Sequence, residues 1–188
     1  EVENPDSALI FCNTKTRVTY VTTVLKRFGY DADEISSDLS QQAREQVLKR
    51  VREGNLRFLV ATDVAARGLD IPDLSHVFQY EPPEDPEVYI HRSGRTGRAG
   101  ASGVAISLVD VIEKAKLDKI AQRYHIEMQE RPLPSDEDVA AVVAERLTVL
   151  LEAQRRQRDK LQTERMARFV PLAQELSQSE EGLSLIAM

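Results

Sequence analysis

The chain has 188 residues, 41% of them hydrophobic and 30% charged, which is enough apolar material for one α/β domain plus a smaller appendage, so disorder is not the default reading. Its net charge is −6, with 18 basic against 21 acidic residues in 1–131 and 7 against 10 in 132–188, so neither part attracts a polyanion by bulk charge and any such contact must come from a few placed groups. Cys12 is the only cysteine and there are three histidines, which excludes an internal disulfide, disfavours a structural zinc site and fits a reducing, cytoplasmic compartment.

In chain order, residues 8–12 (Ala-Leu-Ile-Phe-Cys) form an apolar run of the kind that a strand buried on both faces requires. A helix follows, capped by Asn13 or Thr14, with Val18, Val21, Leu25 and Phe28 at helical spacing and Gly29 as a left-handed stop. The pattern then repeats: a weaker strand at 30–35, a helix capped by Ser40 and carrying Ala43, Val47, Leu48 and Val51, a stop at Gly54, and a strand at 57–61. His76 to Tyr80, residues 103–109 and residues 126–128 continue the strand series, with helices predicted around 64–67, 86–93 and 111–124. Alternating strands and helices predict a parallel sheet with helical crossovers. Ligands of such sheets sit beyond the carboxyl ends of the strands, which selects Asn13–Thr14, Thr62–Asp70 and the loop preceding residue 103.

Arg131-Pro132-Leu133-Pro134 interrupts this rhythm and marks a boundary, with one domain at 1–131 and a helical extension at 132–188. In the extension, Ser135 or Asp136 caps a helix whose Val139, Val142, Val143, Leu147, Leu150 and Leu151 make one apolar stripe. A polar stretch rich in Arg and Gln comes next, then a second stripe at Phe169, Leu172, Ala173 and Leu176, and the start of a third at Leu183, Leu185 and Ile186. No run approaches the roughly 18 apolar residues of a membrane span, and no signal-peptide pattern opens the chain. Because the chain starts directly beside a strand, it is expected to be excised from a longer protein, and its third stripe to be cut short.

The densest chemistry lies in His91-Arg92-Ser93-Gly94-Arg95-Thr96-Gly97-Arg98. Glycines let backbone approach a ligand, arginines present rigid forks to phosphate oxygens, and guanidinium groups this crowded repel one another unless an anion lies among them. A solvated basic loop is the bland alternative. This string resembles motif VI of the DEAD-box helicases, the leading His separating it from related patterns that place Gln there. Ala61-Thr62-Asp63-Val64-Ala65-Ala66-Arg67-Gly68-Leu69-Asp70-Ile71 resembles motif V of that family, Leu9 to Lys15 resembles motif IV, and Gln41-Gln42-Ala43-Arg44 resembles its Gln-x-x-Arg element. The family commonly has His-Gly where this chain has Ser36-Ser37, so neither serine is assigned a contact.

The resemblance covers residues 1–131 and implies a RecA-like α/β fold, the C-terminal half of an ATP-dependent RNA helicase. It implies that Arg95 and Arg98 are arginine fingers for an ATP γ-phosphate held by another RecA-like domain. Gly68 and Asp70 would meet the nucleotide, and Thr14, Gln41, Arg44 and Thr62 would bind RNA phosphates and sugars without reading bases. For the threonines the plain alternative is helix capping, for Asp70 a cap, and for Arg44 a solvated charge beside Glu45 and Glu53. His91 and Arg92 would couple the nucleotide site to the partner domain, Phe11 would pack beneath the fingers or serve the core alone, and Cys12 reads as core.

Neither a phosphate-binding Gly-x-x-x-x-Gly-Lys-Ser/Thr loop nor an Asp-Glu-Ala-Asp string occurs. ATP with Mg2+ is therefore expected to be held mainly by an N-terminal RecA-like domain, and these 188 residues alone should not hydrolyse it. From residue 135 to 188 the chain more loosely resembles the dimerisation region of bacterial cold-shock-type DEAD-box proteins, which implies a homodimer. The competing readings are a non-catalytic RecA-like assembly module, opposed by the intact arginine loop, and a DNA translocase of the wider superfamily, opposed by His91 and the 61–71 string.

Overall fold

The run Ala8 to Cys12 is apolar throughout because both faces of its strand are covered. In the computed structural model, which describes residues 2–67, 74–97 and 102–187, Leu9 and Phe11 of β1 (Ala8–Phe11) enter one core with Ile35, Val47, Leu48, Val51 and Leu59. Ala8, Ile10 and Cys12 enter a second core with Val18, Val21 and Val60. Successive side chains of a strand point to opposite faces, so one continuous apolar run serves two layers of helices. Each fully buried aliphatic side chain such as Val60 contributes about 1.5–3 kcal/mol by leaving water.

The sheet has the order β2-β3-β1-β4-β5, and every pairing is parallel, with β2 at Ala32–Ile35, β3 at Phe58–Ala61, β4 at His76–Gln79 and β5 at Val104–Ser107. The intervening helices are α1 (Lys15–Arg27), α2 (Gln41–Arg52), α3 (Asp63–Ala66), α4 (Pro86–Ser93) and α5 (Val111–Tyr124). Thr14 caps α1, and Gly29 (φ +78°) and Gly54 (φ +69°) take the left-handed turns that close α1 and α2, where any side chain would be strained. This is the parallel sheet flanked by helices that the sequence predicts.

One expectation fails. Residues 126–128 form no strand: the amide of Ile126 is spent on the carbonyl of Ala121, closing α5 behind the left-handed His125, so the segment leaves the helix without meeting a sheet edge. Of the loop before residue 103, Thr96 pairs with Leu74, two residues ahead of β4, because a helix-to-strand connection returns to the amino edge; residues 98–101 lie outside the described residues.

The chain divides into two compact units, Glu3–Arg131 and Pro132–Met188 together with Glu1–Val2. The second holds α6 (Asp136–Arg156), α7 (Lys160–Ala167), α8 (Val170–Leu176) and α9 (Glu180–Ala187). Ser135 and Asp138 cap α6 reciprocally. This helix runs into the polar Arg- and Gln-rich stretch as far as Arg156, aided by good helix formers and an i,i+4 pair between Glu152 and Arg156. Val139 and Val142 are half-buried, whereas Val143, Leu147, Leu150 and Leu151 remain exposed. Among the described residues no helix is long and apolar enough to cross a membrane.

Candidate functional site

Connections from β1 and β4 leave towards opposite edges of the sheet, so the chain parts at the carboxyl ends of these two neighbouring strands. Arg92 fills that parting. Its Nε and Nη2 donate to the two carboxylate oxygens of Asp63 at 2.7 and 2.6 Å, a two-point fork. Nη1 donates to the Glu81 carbonyl at 2.8 Å, Nη2 also donates to Asn13 Oδ1 at 2.8 Å, and the guanidinium lies 5.2 Å from the Phe11 ring centroid. Arg92 is 1% exposed. A buried charge is tolerable only when paired and hydrogen-bonded, and this one is both.

The neighbouring groups extend the network. Glu81 accepts from the Asn13 amide at 2.9 Å and from Arg17 Nε at 3.1 Å, while Asn13 Nδ2 donates to the Pro82 carbonyl. Gln79, fully buried at the end of β4, donates to Ser93 Oγ, which itself donates to the Tyr89 carbonyl, and so anchors the end of α4 on the sheet.

Above Phe11, between α3 and α4, opens a cleft of about 280 Å³ lined by Asp63, Arg67, His91, Arg92 and Arg95 together with Ala66 and Val88. Arg67 and His91 are exposed and Arg95 is half-buried. Arg67 and Arg95 line the cleft beside the Arg92–Asp63 pair, and such guanidinium groups suit an anionic oxygen. Arg67 was quoted in the motif V string without a role; its place three residues before Asp70 in that string was the available signal. Asn13, read as a cap, and Asp63 and Glu81 carry no assigned role in the sequence reading; Asn13 and Asp63 stand in motif strings beside the assigned Thr14 and Thr62, whereas Glu81 stands in none.

Both threonines cap a helix. Thr14 accepts from the Arg17 amide at 3.3 Å at the start of α1, and Thr62 accepts from the Ala65 amide at 3.4 Å at the start of α3. Gln41 opens α2 and donates to Glu45 Oε1 at 2.9 Å. Arg44 is half-buried rather than solvated: Nη2 donates to the Ser36 carbonyl at 3.4 Å, and its Nε is buried without a hydrogen-bond partner among the described residues. Gly68, Asp70 and Arg98 lie outside the described residues.

Phe11 packs beneath Arg92, one helical turn before Arg95. Cys12 is fully buried, and burial first, then the negative charge of Glu81, pushes its thiol up to about 12, so it stays protonated and inert as a nucleophile at neutral pH. Among the described residues no group of three or more His, Cys, Asp or Glu could hold a metal ion.

The fold is an open parallel five-stranded sheet flanked by helices, with an arginine-bearing helix over its central strand. Residues 1–100 match the family described as the helicase conserved C-terminal domain, and the chain belongs to that family. It is 44% identical over 158 residues to the ATP-dependent RNA helicase DbpA of Bacillus subtilis, covering 84% of this chain and 33% of that protein. It is 41% identical over 187 residues to the RNA helicase CrhR of Synechocystis, covering 100% of this chain and 37% of that protein. The structure of the C-terminal domain of the DEAD-box protein Dbp5 is similar with a TM-score of 0.68 and 36% identity, over 77% of this chain and 84% of that one. The fold is thus RecA-like, that of a DEAD-box C-terminal domain, and the chain spans about a third of the length of the curated relatives it matches.

Proposed function

We propose that the chain acts as the C-terminal half of an ATP-dependent RNA helicase, completing an ATPase site whose other half is an N-terminal RecA-like domain of the same protein. The observation that supports this best is the cleft between α3 and α4, lined by Arg95 and Arg67 over a floor of Phe11 and the Arg92–Asp63 pair. Arg95, with Arg98, supplies positive charge to the γ-phosphate as charge develops in the transition state. Gly68 and Asp70 meet the nucleotide, and His91 faces the partner domain. Arg92 couples to that domain only indirectly, since its guanidinium is spent within its own unit.

RNA runs along the starts of α1, α2 and α3, where Thr14, Gln41, Arg44 and Thr62 lie, and is held by its backbone rather than its bases. ATP with Mg2+ is bound mainly by the other domain, and closure of the two domains couples hydrolysis to local strand separation. The location is cytoplasmic. Residues 135–188 pair with a second copy of the chain through the stripe of α6, a reading supported by the exposure of Val143, Leu147, Leu150 and Leu151.

ATPase assays on residues 1–188 alone, and on the same residues joined to an N-terminal RecA-like half, test this. The first should be silent and the second stimulated by single-stranded RNA. Turnover by residues 1–188 alone would overturn the composite site, and stimulation by DNA in place of RNA would favour a translocase.

A further inference from the structure

Arg92 is bonded at both ends. Its side chain reaches Asn13, the residue before Thr14, and Asp63, the residue after Thr62. Its backbone carbonyl accepts from the amide of Arg95 at 3.1 Å. One buried residue therefore touches the neighbours of two proposed RNA-contacting threonines and the backbone of the proposed finger. Without Arg92 these segments belong to three separate connections, after β1, after β3 and after α4.

The bonds are stiff in the way this requires. A two-point fork to Asp63 fixes the guanidinium plane, and the same plane then dictates where Asn13 Oδ1 and the Glu81 carbonyl must lie. Phe11 closes the lower face, and burial strengthens each contact while making any loss costly. A shift of the α1 or α3 start cannot occur without pulling the guanidinium, and with it the turn that carries Arg95.

We infer that Arg92 is a positioning residue that makes the RNA-facing helix starts and the arginine finger one rigid element, so that RNA bound at Thr14 and Thr62 sets the placement of Arg95. The inference rests on the function proposed above. It assigns the coupling to a path inside this unit, through Asn13, Asp63 and Arg92, in addition to any contact between domains.

The test uses the full protein with its N-terminal half, and reads the affinity for a non-hydrolysable ATP analogue with and without single-stranded RNA. The ratio of the two affinities is the coupling, about tenfold or more where two sites communicate. Arg92→Lys keeps the charge but loses the fork, and Asn13→Ala removes only the bonds to Arg92 and the Pro82 carbonyl from an exposed residue, so this variant keeps its fold. Both should bring the ratio close to one. A merely structural residue would lower the melting temperature and leave the ratio intact, and that result in folded Asn13→Ala would overturn the inference. Arg95→Ala separates the two levels: normal hydrolysis in it would sink the underlying function, whereas lost hydrolysis together with full coupling in Asn13→Ala would sink the Arg92 path alone.

Discussion

The hydroxyl of Thr96 lies 2.5 Å from the carbonyl oxygen of Leu74 and 3.1 Å from that of Ser75, fastening the arginine turn to the strand that precedes it. Ser75 also accepts from the amide of Val104, so the same carbonyl ties β5 to β4. Gly103 approaches this point so closely that a methyl group there would meet both Thr96 Oγ1 and the backbone of Gly97.

Thr96→Val keeps the shape of the side chain and withdraws its donor. Stability should fall by about 1–3 kcal/mol, the cost of leaving a buried acceptor unmade, and Thr96→Ser should recover most of it. Gly103→Ala should destabilise too, because rigid backbone on one side of the new methyl leaves it no room. Denaturant unfolding of residues 1–188 measures all three, and an unchanged midpoint for Thr96→Val would mean that the turn is held by other contacts.

Arg95→Ala in the full enzyme should lower the turnover number by about two orders of magnitude or more, as loss of a charge aimed at a phosphoryl transition state does. Affinity for RNA measured without nucleotide should change little, since Arg95 is not among the residues proposed to hold RNA. Arg98→Ala should behave alike. Stopped-flow phosphate release gives the chemical rate, and wild-type rates in both variants would remove the finger assignment.

Much of this was readable before the fold was known, and what was not has a physical reason. Buried strands and capped helices announce themselves locally: an apolar run, a Thr or Ser before a helix, a Gly behind it. Thr14 and Thr62 are the caps of α1 and α3, the plainer of the two roles their places before those helices implied. Arg92 was read with the string that contains it, yet its partners Asn13 and Asp63 stand 79 and 29 positions away. Nothing in the spacing of an arginine-rich string says which guanidinium turns inward to a carboxylate. Residues 126–128 were misread because three residues have no periodicity to distinguish a strand from the tail of a helix, and here the helix claimed the first amide.

Cys12 offers a pH measurement with a definite sign. Its folded value is raised from 9.0 to about 12, so the unfolded chain releases the thiol proton first. The contribution of the buried thiol is complete below pH 9.0 and is lost as pH rises from 9.0 towards about 12. Other groups titrate in this range, so the informative quantity is the unfolding free energy of the wild type minus that of Cys12→Ala. This difference should decline with a slope approaching about 1.4 kcal/mol per pH unit. A flat difference would show that the thiol ionises in place.

The last expectation concerns α6. Leu147, Leu150 and Leu151 are 54%, 62% and 54% exposed, and with Val143 they form a patch that a soluble helix does not ordinarily leave in water. The charges around them are already engaged locally. The Asp138 carboxylate accepts from the amide and hydroxyl of Ser135, which holds its carboxyl below the usual range, Arg146 donates to the Val2 carbonyl, and Arg156 pairs with Glu152. Affinity between two copies should therefore come from aliphatic packing and depend weakly on salt. A two-fold interface would set each stripe against its own copy. Replacing Leu147 and Leu150 by Asp puts carboxylates into that face, at a cost of several kcal/mol, on the order of what removes a dimer at working concentrations. Light scattering should give twice 21.2 kDa for the wild-type chain and 21.2 kDa for the double variant. Circular dichroism of the α/β unit should be unchanged between them. A wild-type monomer at tens of micromolar would mean that the stripe is covered within its own chain, and the homodimer would be abandoned.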